Sequence, residues 1–460
     1  MTLIGLVDGR FRIEQRCASG GMGSVYRARD LSTGARVALK VNGDPASQGR
    51  FDREAEVLAR LEHPGIVRYI AHGANSGLSY LVMEWLDGET LRERLIRTGL
   101  TARQSVAMAI HVCEALAAAH RHGVVHRDVK PSNLLFTGDG VESVKLIDFG
   151  IVRVTGQAER LTASGASIGT PGYMAPEQVR SHREVELRAD VFALGCVLYE
   201  CLTGRRAFPG ADVKTVTLKI VLAQPASMRS VRSDLPAALE EVVHAMLAKD
   251  AWDRPSAEEV ARRLASIERL PDTRPPRSTS EDGPTVTIAD NRPPSAVAQR
   301  GAVAAPRRDS VSLVIVAPID DESGTAPLDL TPFAALGERH GGRVETLADR
   351  SLLVTFVGPD GTEMSIRAAS FALELRKSCD QAVITLASAL DEGAGESSIE
   401  LAIERGLRIL DGALDELMAP DAGAGEAIVH VDETAARLLR DRFEIEASLS
   451  GYHLLSRRRD

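Results

Sequence analysis

The stretch PDTRPPRSTSEDGPTVTIADNRPPSAVAQRGAVAAPRRD, residues 271–309, limits what this chain can become more than any other feature. It is rich in Pro, Arg, Ser and Ala and nearly devoid of large apolar residues. Such a segment cannot bury enough surface to offset the entropy of ordering it, so it reads as a disordered tether. No single core can therefore run through all 460 residues. The sequence predicts two separately folded regions, one on each side of the tether.

Hydrophobic residues make up 44% of the chain, enough to fill packed cores on both sides. The net charge of -9, with both signs mixed, argues against a uniformly basic nucleic-acid binder. Five cysteines, at 17, 113, 196, 201 and 379, show no C-x-x-C spacing, which fits a reducing compartment better than a disulfide scaffold or a zinc site. The N-terminal MTLIGLVDGRFRIEQ carries Asp8, Arg10 and Arg12 where a signal peptide needs an apolar core. No run of about 18 apolar residues occurs, so the expectation is a cytoplasmic protein without a membrane span.

Before the tether, short alternating runs such as RFRIEQR, GSVYRARD and ARVALKV predict neighbouring antiparallel strands. Residues 50–61 have helical spacing, LSYLVMEW returns to strand, and ARQSVAMAIHVCEALAAAHRHG predicts a long helix closed by Gly123. The pattern is a small β-rich part followed by a larger helical one.

The glycine run CASGGMGSV, residues 17–25, lies between two strands. A dinucleotide-binding fold would put a helix after the glycines, so that reading fails. A glycine-rich loop joining strands, followed by Lys40 in VALK, instead suits a phosphate cradle with a lysine for the α- and β-phosphates. Lys40 then needs a carboxylate partner, and Glu54 is placed for it, with Glu56 as the alternative register. VVHRDVKPSNLL fits H-R-D-x-x-x-x-N without a break. In that pattern Asp128 accepts or orients a substrate hydroxyl proton, Lys130 neutralises charge on the transferring group, and Asn133 offers an amide oxygen to magnesium. KLIDFG follows, and Asp148 supplies the carboxylate between magnesium and phosphates.

Taken in order, these motifs make residues 11–270 resemble a eukaryotic-like Ser/Thr protein kinase of the kind common in bacteria. The resemblance implies a two-lobed α+β fold, ATP and Mg2+ as cofactors, and protein substrates that include the kinase itself. It implies an ATP site built from Cys17, Ala18, Ser19, Gly20, Gly21, Met22, Gly23, Ser24, Val25 and Lys40. It adds the backbone of Glu84 and Leu86, beyond a gatekeeper at Met83. It further implies a Glu177–Arg254 ion pair, an Asp190 brace under the catalytic loop, and a Ser/Thr rather than tyrosine pattern at Lys130 and Thr170. Arg127 beside Asp128 suggests activation by phosphate, and Thr162 and Ser164 hold the usual phosphosite positions. One departure is Ala18, which replaces the first loop glycine, restricts φ and adds a methyl group. It predicts altered ATP affinity rather than loss of binding.

After the tether, residues 310–456 read strand, helix, strand, strand, helix, strand, then helix and strand, which predicts a ferredoxin-like α+β domain. VSLVIVAPID, HGGRVETLADRSLLVTFVG and VDETAARLLRDRFEI resemble class III nucleotidyl cyclase homology domains. Of the family's two metal-binding aspartates, Asp349 matches one; the other position is Pro318, with Asp320 and Asp321 nearby. A two-ion mechanism needs both carboxylates, so a regulatory domain is expected, with a homodimer as its simplest arrangement. Two alternatives remain: a pseudokinase scaffold, resting on Ala18, and a protein whose main output is cyclase activity, which Pro318 opposes.

Overall fold

The computed structural model describes residues 5–20, 23–42, 55, 58–75, 78–149, 171–180, 187–275, 309–318, 333–347, 349–379, 382–390, 397–417, 428–448 and 451–458. The chain forms two compact units, Met1–Pro275 with Thr346–Ser351 and Pro276–Glu345 with Leu352–Asp460. Among the described residues no helix is long and apolar enough to cross a membrane.

The first unit opens with strands β1 (Leu6–Val7), β2 (Phe11–Gly20), β3 (Gly23–Asp30), β4 (Arg36–Asn42), β5 (Tyr69–Asn75) and β6 (Leu78–Glu84). They form one antiparallel sheet in the order β1-β2-β3-β4-β6-β5. Alternation decides the faces. Tyr26 and Ala28 of β3, Val37, Leu39 and Val41 of β4, and Tyr80 and Val82 of β6 pack with Phe11 into one cluster. Lys40 falls on the opposite face, flanked in register by Val25 and Leu81. Of the helix expected over 50–61, residues 55 and 58–61 are described; Ala55 and Leu58 are helical and buried, and 59–60 form a turn.

The helical part begins at Leu91–Arg97, which Thr90 and Glu93 close with a capping box. The long helix Ala102–Arg121 follows, and Gly123 just beyond it takes φ 73°, as its closing role requires. Its N-terminus is fully satisfied. Thr101 Oγ1 accepts from Gln104 N–H, and Gln104 Oε1 accepts from Thr101 N–H. The carbonyls of Thr273 and Pro271 take the N–H groups of Ala102 and Arg103 at 3.1 and 3.3 Å. Four N–H groups that a helix cannot satisfy internally thus find acceptors at its start. The helix Arg188–Thr203 is buried along nearly its whole length and ends on Gly204 at φ 71°.

The strap at 271–275 departs from the sequence expectation, which placed these residues in the tether. Thr273 Oγ1 accepts from Arg232 Nη2 at 2.7 Å and donates to Asp234 Oδ2 at 2.9 Å. Composition hides this because the contacts use backbone carbonyls and one hydroxyl, not apolar side chains.

A small sheet of β7 (Glu89–Thr90), β8 (Leu134–Phe136) and β9 (Val144–Leu146) flanks the catalytic-loop sequence on one side and leads to Asp148 on the other.

The second unit holds β10 (Ser310–Pro318), β11 (Arg343–Thr346), β12 (Leu352–Gly358), β13 (Ala382–Ala389), β14 (Val429–Val431), β15 (Phe443–Ser448) and β16 (Gly451–Arg457). Their order is β11-β12-β10-β13-β14-β16-β15. Val314, Val316, Leu352, Val354, Phe356, Ile384 and Leu386 share one face and pack on helices Gly361–Arg376 and Glu433–Leu439. The helix Ser398–Leu417 packs on β13 and β10, where Gly406 lets Ile315 approach closely. Pro318 ends β10 opposite Ala382, and Asp349 Oδ1 accepts from Ser351 N–H at 3.0 Å. Asp320 and Asp321 lie outside the described residues.

Candidate active site

The catalytic-loop sequence is held from beneath by one buried carboxylate. Asp190, 1% exposed in the first turn of Arg188–Thr203, accepts from the backbone N–H of His126 (Oδ2) and of Arg127 (Oδ1), both at 2.8 Å. His120 Nε2 meets Oδ2 at 2.9 Å. Arg127 sits at φ 65°, a left-handed conformation that costs a non-glycine residue roughly 1–2 kcal/mol. Charge-assisted bonds to Asp190 offset that cost and fix the direction in which the next residue points.

That next residue is Asp128. Its Oδ2 takes Lys130 Nζ at 2.9 Å and Asn133 Nδ2 at 3.1 Å, and its carbonyl takes a second bond from Asn133 Nδ2 at 2.8 Å. Three residues named from spacing thus converge on one oxygen. His126 orders the same loop from inside. Its Nε2 donates to the carbonyl of Ile147 at 3.1 Å, and its Nδ1 accepts from Asp128 N–H at 3.3 Å. This bonding is that of a neutral imidazole, and burial depresses its pKa accordingly.

Asn133 and Asp148 are joined through the backbone, since Ile147 N–H donates to the Asn133 carbonyl at 3.0 Å. Asp148 adopts φ 64° and meets Lys40, Nζ to Oδ1, at 2.5 Å. The expected partner of Lys40, Glu54, lies outside the described residues, as does Glu56. Among the described residues Lys40 is placed on Asp148. Two opposite charges drawn together neutralise each other. Phe149 turns inward, 5% exposed, with its ring 4.5 Å from that of His126. It lines a pocket with Leu58, Ile66, Val67, Leu81 and Met83.

The residues suit magnesium. Asn133 uses its amide nitrogen toward Asp128, which leaves the amide oxygen as the atom it can offer a cation, and Asp148 carries carboxylate oxygen. Hard oxygen donors in small number match an ion that keeps waters and phosphate oxygens as its other ligands.

At the glycine run, β2 and β3 pair Ala18 with Val25, Ser19 with Ser24 and Gly20 with Gly23, and Gly21 and Met22 lie outside the described residues. Ala18 is exposed, in extended backbone that any residue adopts, and Cys17 beside it is exposed too. The φ restriction expected from Ala18 therefore has no effect here. Across the sheet, Glu84 donates its own N–H to the Arg68 carbonyl at 2.9 Å, so its carbonyl is the group it can offer a base. Leu86 follows, half-buried.

Glu177 and Arg254 form the expected ion pair, and Gln178 Nε2 donates to the Arg127 carbonyl at 3.0 Å. Thr162, Ser164 and Thr170 lie outside the described residues. Sequence reasoning missed His120 and Gln178. A histidine in the last turn of an alanine-rich helix reads as a complement to the helix dipole, and only tertiary packing brings Asp190 to it.

Residues 11–264 match the family model described as the protein kinase domain. Serine/threonine-protein kinase PknL of Mycobacterium tuberculosis is 38% identical over 255 residues, covering 54% of this chain and 63% of PknL. Serine/threonine-protein kinase PknB of the same species is 34% identical over 320 residues, covering 67% of this chain and 50% of PknB. The crystal structure of the M. tuberculosis PknI kinase domain aligns at a TM-score of 0.46 and 28% identity, covering 58% of this chain and 99% of that one. The chain thus spans between half and two thirds of the length of these two curated relatives.

Proposed function

Since the chain belongs to the protein kinase family, we propose that it is a serine/threonine protein kinase, moving the γ-phosphate of ATP to Ser or Thr hydroxyls of proteins, itself included. The observation that carries this reading is the convergence of Lys130 and Asn133 on Oδ2 of Asp128, on a loop held by Asp190. A pseudokinase scaffold has no chemical need for that arrangement, and Ala18 in extended backbone gives the scaffold reading no support.

Bound magnesium and ATP would supply the electrophilic phosphorus and the cation that neutralises its oxygens. The chain's own part is positioning and charge. Asp128 would receive the hydroxyl proton as the hydroxyl oxygen bonds the γ-phosphorus and the bond to the β-phosphate oxygen breaks, releasing ADP. Lys130, already at its carboxylate, is in reach of the charge that develops on the transferred group. Lys40 would hold phosphate, and Asp148 with Asn133 would hold magnesium through oxygen donors. The glycine-rich stretch 17–25 would lie against the phosphates, and the backbone of Glu84 and Leu86 would take the adenine edge. Incubating the purified protein with labelled ATP and magnesium, then mapping phosphosites, tests this; absence of label on the chain and on generic Ser/Thr substrates defeats it.

We read the second unit as a ferredoxin-like regulatory domain related to nucleotidyl cyclases but without their chemistry. The order β11-β12-β10-β13, with a helix between β12 and β13, supports the fold. Pro318 at the end of β10 supports the loss of catalysis, because its ring offers no metal ligand. Its role is to pair with a second copy and bring two kinase units together.

A further inference from the structure

Lys145 opens the KLIDFG stretch, three residues before Asp148, and the motif assigns it no role, yet it makes an ion pair with a residue of the proposed adenine site. Its Nζ meets Glu84 Oε1 at 2.6 Å, and both side chains are about four-fifths shielded from solvent. The same Oε1 accepts the backbone N–H of Arg68 at 2.9 Å, and the Glu84 N–H returns a bond to the Arg68 carbonyl at 2.9 Å. Glu84 is thus fixed at both its main chain and its carboxylate. Lys145 belongs to β9, pairing Leu135 of β8, and its neighbour Leu146 is bonded in turn to Gly65 and Val67. Three segments meet at this carboxylate: the lead into β5, the end of β6, and the strand that delivers Asp148.

We propose that Lys145 is a positioning residue for nucleotide binding, holding Glu84 so that its carbonyl faces the adenine edge in register with the strand carrying Asp148. The inference rests on the kinase reading and deepens it. A hydrogen-bonded carboxylate at the end of a strand restrains the backbone that bears it. A lysine reaching from another segment sets that restraint relative to Asp148. Without the ammonium, Glu84 keeps its bond from Arg68 but loses its link to β9. Nucleotide binding should then weaken while the phosphoryl-transfer groups stay in place.

The test is steady-state kinetics of full-length Lys145→Met and Lys145→Arg, with fluorescent-nucleotide binding measured in parallel. For Lys145→Met the expected result is a KM for ATP raised about five- to twentyfold and a matching loss of binding, with kcat within about twofold. Lys145→Arg should recover most of the affinity, because the guanidinium can still reach the carboxylate. An unchanged KM overturns the proposal, as does a raised kcat at constant KM, which would make the pair a brake on lobe movement. Equal loss of kcat and stability in both variants would reduce Lys145 to a structural role and also overturn it. Failure of the wild-type protein to turn over ATP while binding the fluorescent nucleotide would count against the kinase reading alone.

Discussion

Arg254 and Glu177 meet as a two-pronged ion pair, Nη1 to Oε1 and Nη2 to Oε2, both at 2.8 Å and both buried. Arg254 also donates from Nε to the Ala248 carbonyl, from Nη1 to that of Arg188 and from Nη2 to that of Lys249. All five guanidinium N–H groups are used, so the start of Arg188–Thr203, the turn that follows Ala237–Met246 and the short helix Pro176–Val179 are fastened at one point.

Removing one partner leaves the other charge buried and unanswered. Arg254→Ala or Glu177→Ala should each lower stability by about 3–5 kcal/mol, whereas Arg254→Met with Glu177→Leu should lie nearer the wild type than either. The measurement is urea unfolding by tryptophan fluorescence. The two tryptophans, Trp85 and Trp252, both belong to the first unit, so the signal reports that unit. Additive single losses in the double variant would refute the pairing argument.

Asp128→Asn and Asp148→Asn should each cut phosphoryl transfer by at least about a thousandfold while leaving the tryptophan signal unchanged. Each change keeps the volume and deletes a charge, and Asp128→Asn also sets an amide against Lys130 and Asn133. Near-normal turnover in either variant would sink the role assigned to it.

Lys249 should give the first unit a pH-dependent stability above neutrality. Its ammonium is buried between the Ile220 carbonyl, 2.7 Å away, and the ring of Phe208, 4.0 Å away, and desolvation pushes its pKa down to about 7. In the unfolded chain it keeps its proton to about 10.4. From pH 7 upward the unfolded state therefore binds more protons than the folded one, and stability rises with pH. The clean window is pH 7 to about 8.5. Below it His126, whose pKa is depressed, gives a slope of the same sign; above it the buried thiols of Cys113, Cys196 and Cys201, whose pKa values are raised, oppose the trend. Lys249→Met should flatten unfolding midpoints across that window. A slope unchanged by the substitution would assign the effect elsewhere.

Autophosphorylation should fall within residues 155–168, mainly on Thr162 and Ser164. Arg127 stands next to Asp128, with its backbone carbonyl held by Gln178 Nε2, and its guanidinium can pair with a phosphate arriving from that segment. Double alanine replacement should lower activity about tenfold or more, the scale of a misplaced catalytic group. Full activity in that variant would show that switching does not occur there.

The second unit should make no cyclic nucleotide yet should alter the kinase. Residues 276–308, which lie outside the described residues, are read as a tether from composition alone. About 33 flexible residues would span on the order of 30 Å and keep both units of one chain at high effective concentration. Truncation after Pro275 should reduce autophosphorylation most in dilute solution and least at high concentration. Equal rates at every dilution would remove the regulatory role, and cyclic AMP produced by residues 305–460 would overturn the chemical half.

The parts legible in the sequence were those whose meaning is local. Asp128, Lys130 and Asn133 sit within one loop, so their spacing already implies their convergence, and the alternation through Val37, Leu39 and Val41 already puts Lys40 on the other face. Less legible were contacts made by folding distant segments together. His120 reaches Asp190, Lys145 reaches Glu84, and Lys40 meets Asp148, each across a gap no periodicity describes. Ala18 was misread in kind. A glycine motif suggests special backbone angles, but the strand pairing through Ala18 and Val25 demands none.

The strap at 271–275 moves the edge of the first unit. The match to the kinase family stops at Leu264, whereas the first two N–H groups of Ala102–Arg121 find their acceptors on Pro271 and Thr273. A fragment cut where the family ends would begin its longest catalytic-side helix with bare donors, and the fraying would start at the end opposite His120. The edge of the first unit is thus set by where a helix stops asking for acceptors, and the last of these is the carbonyl of Thr273.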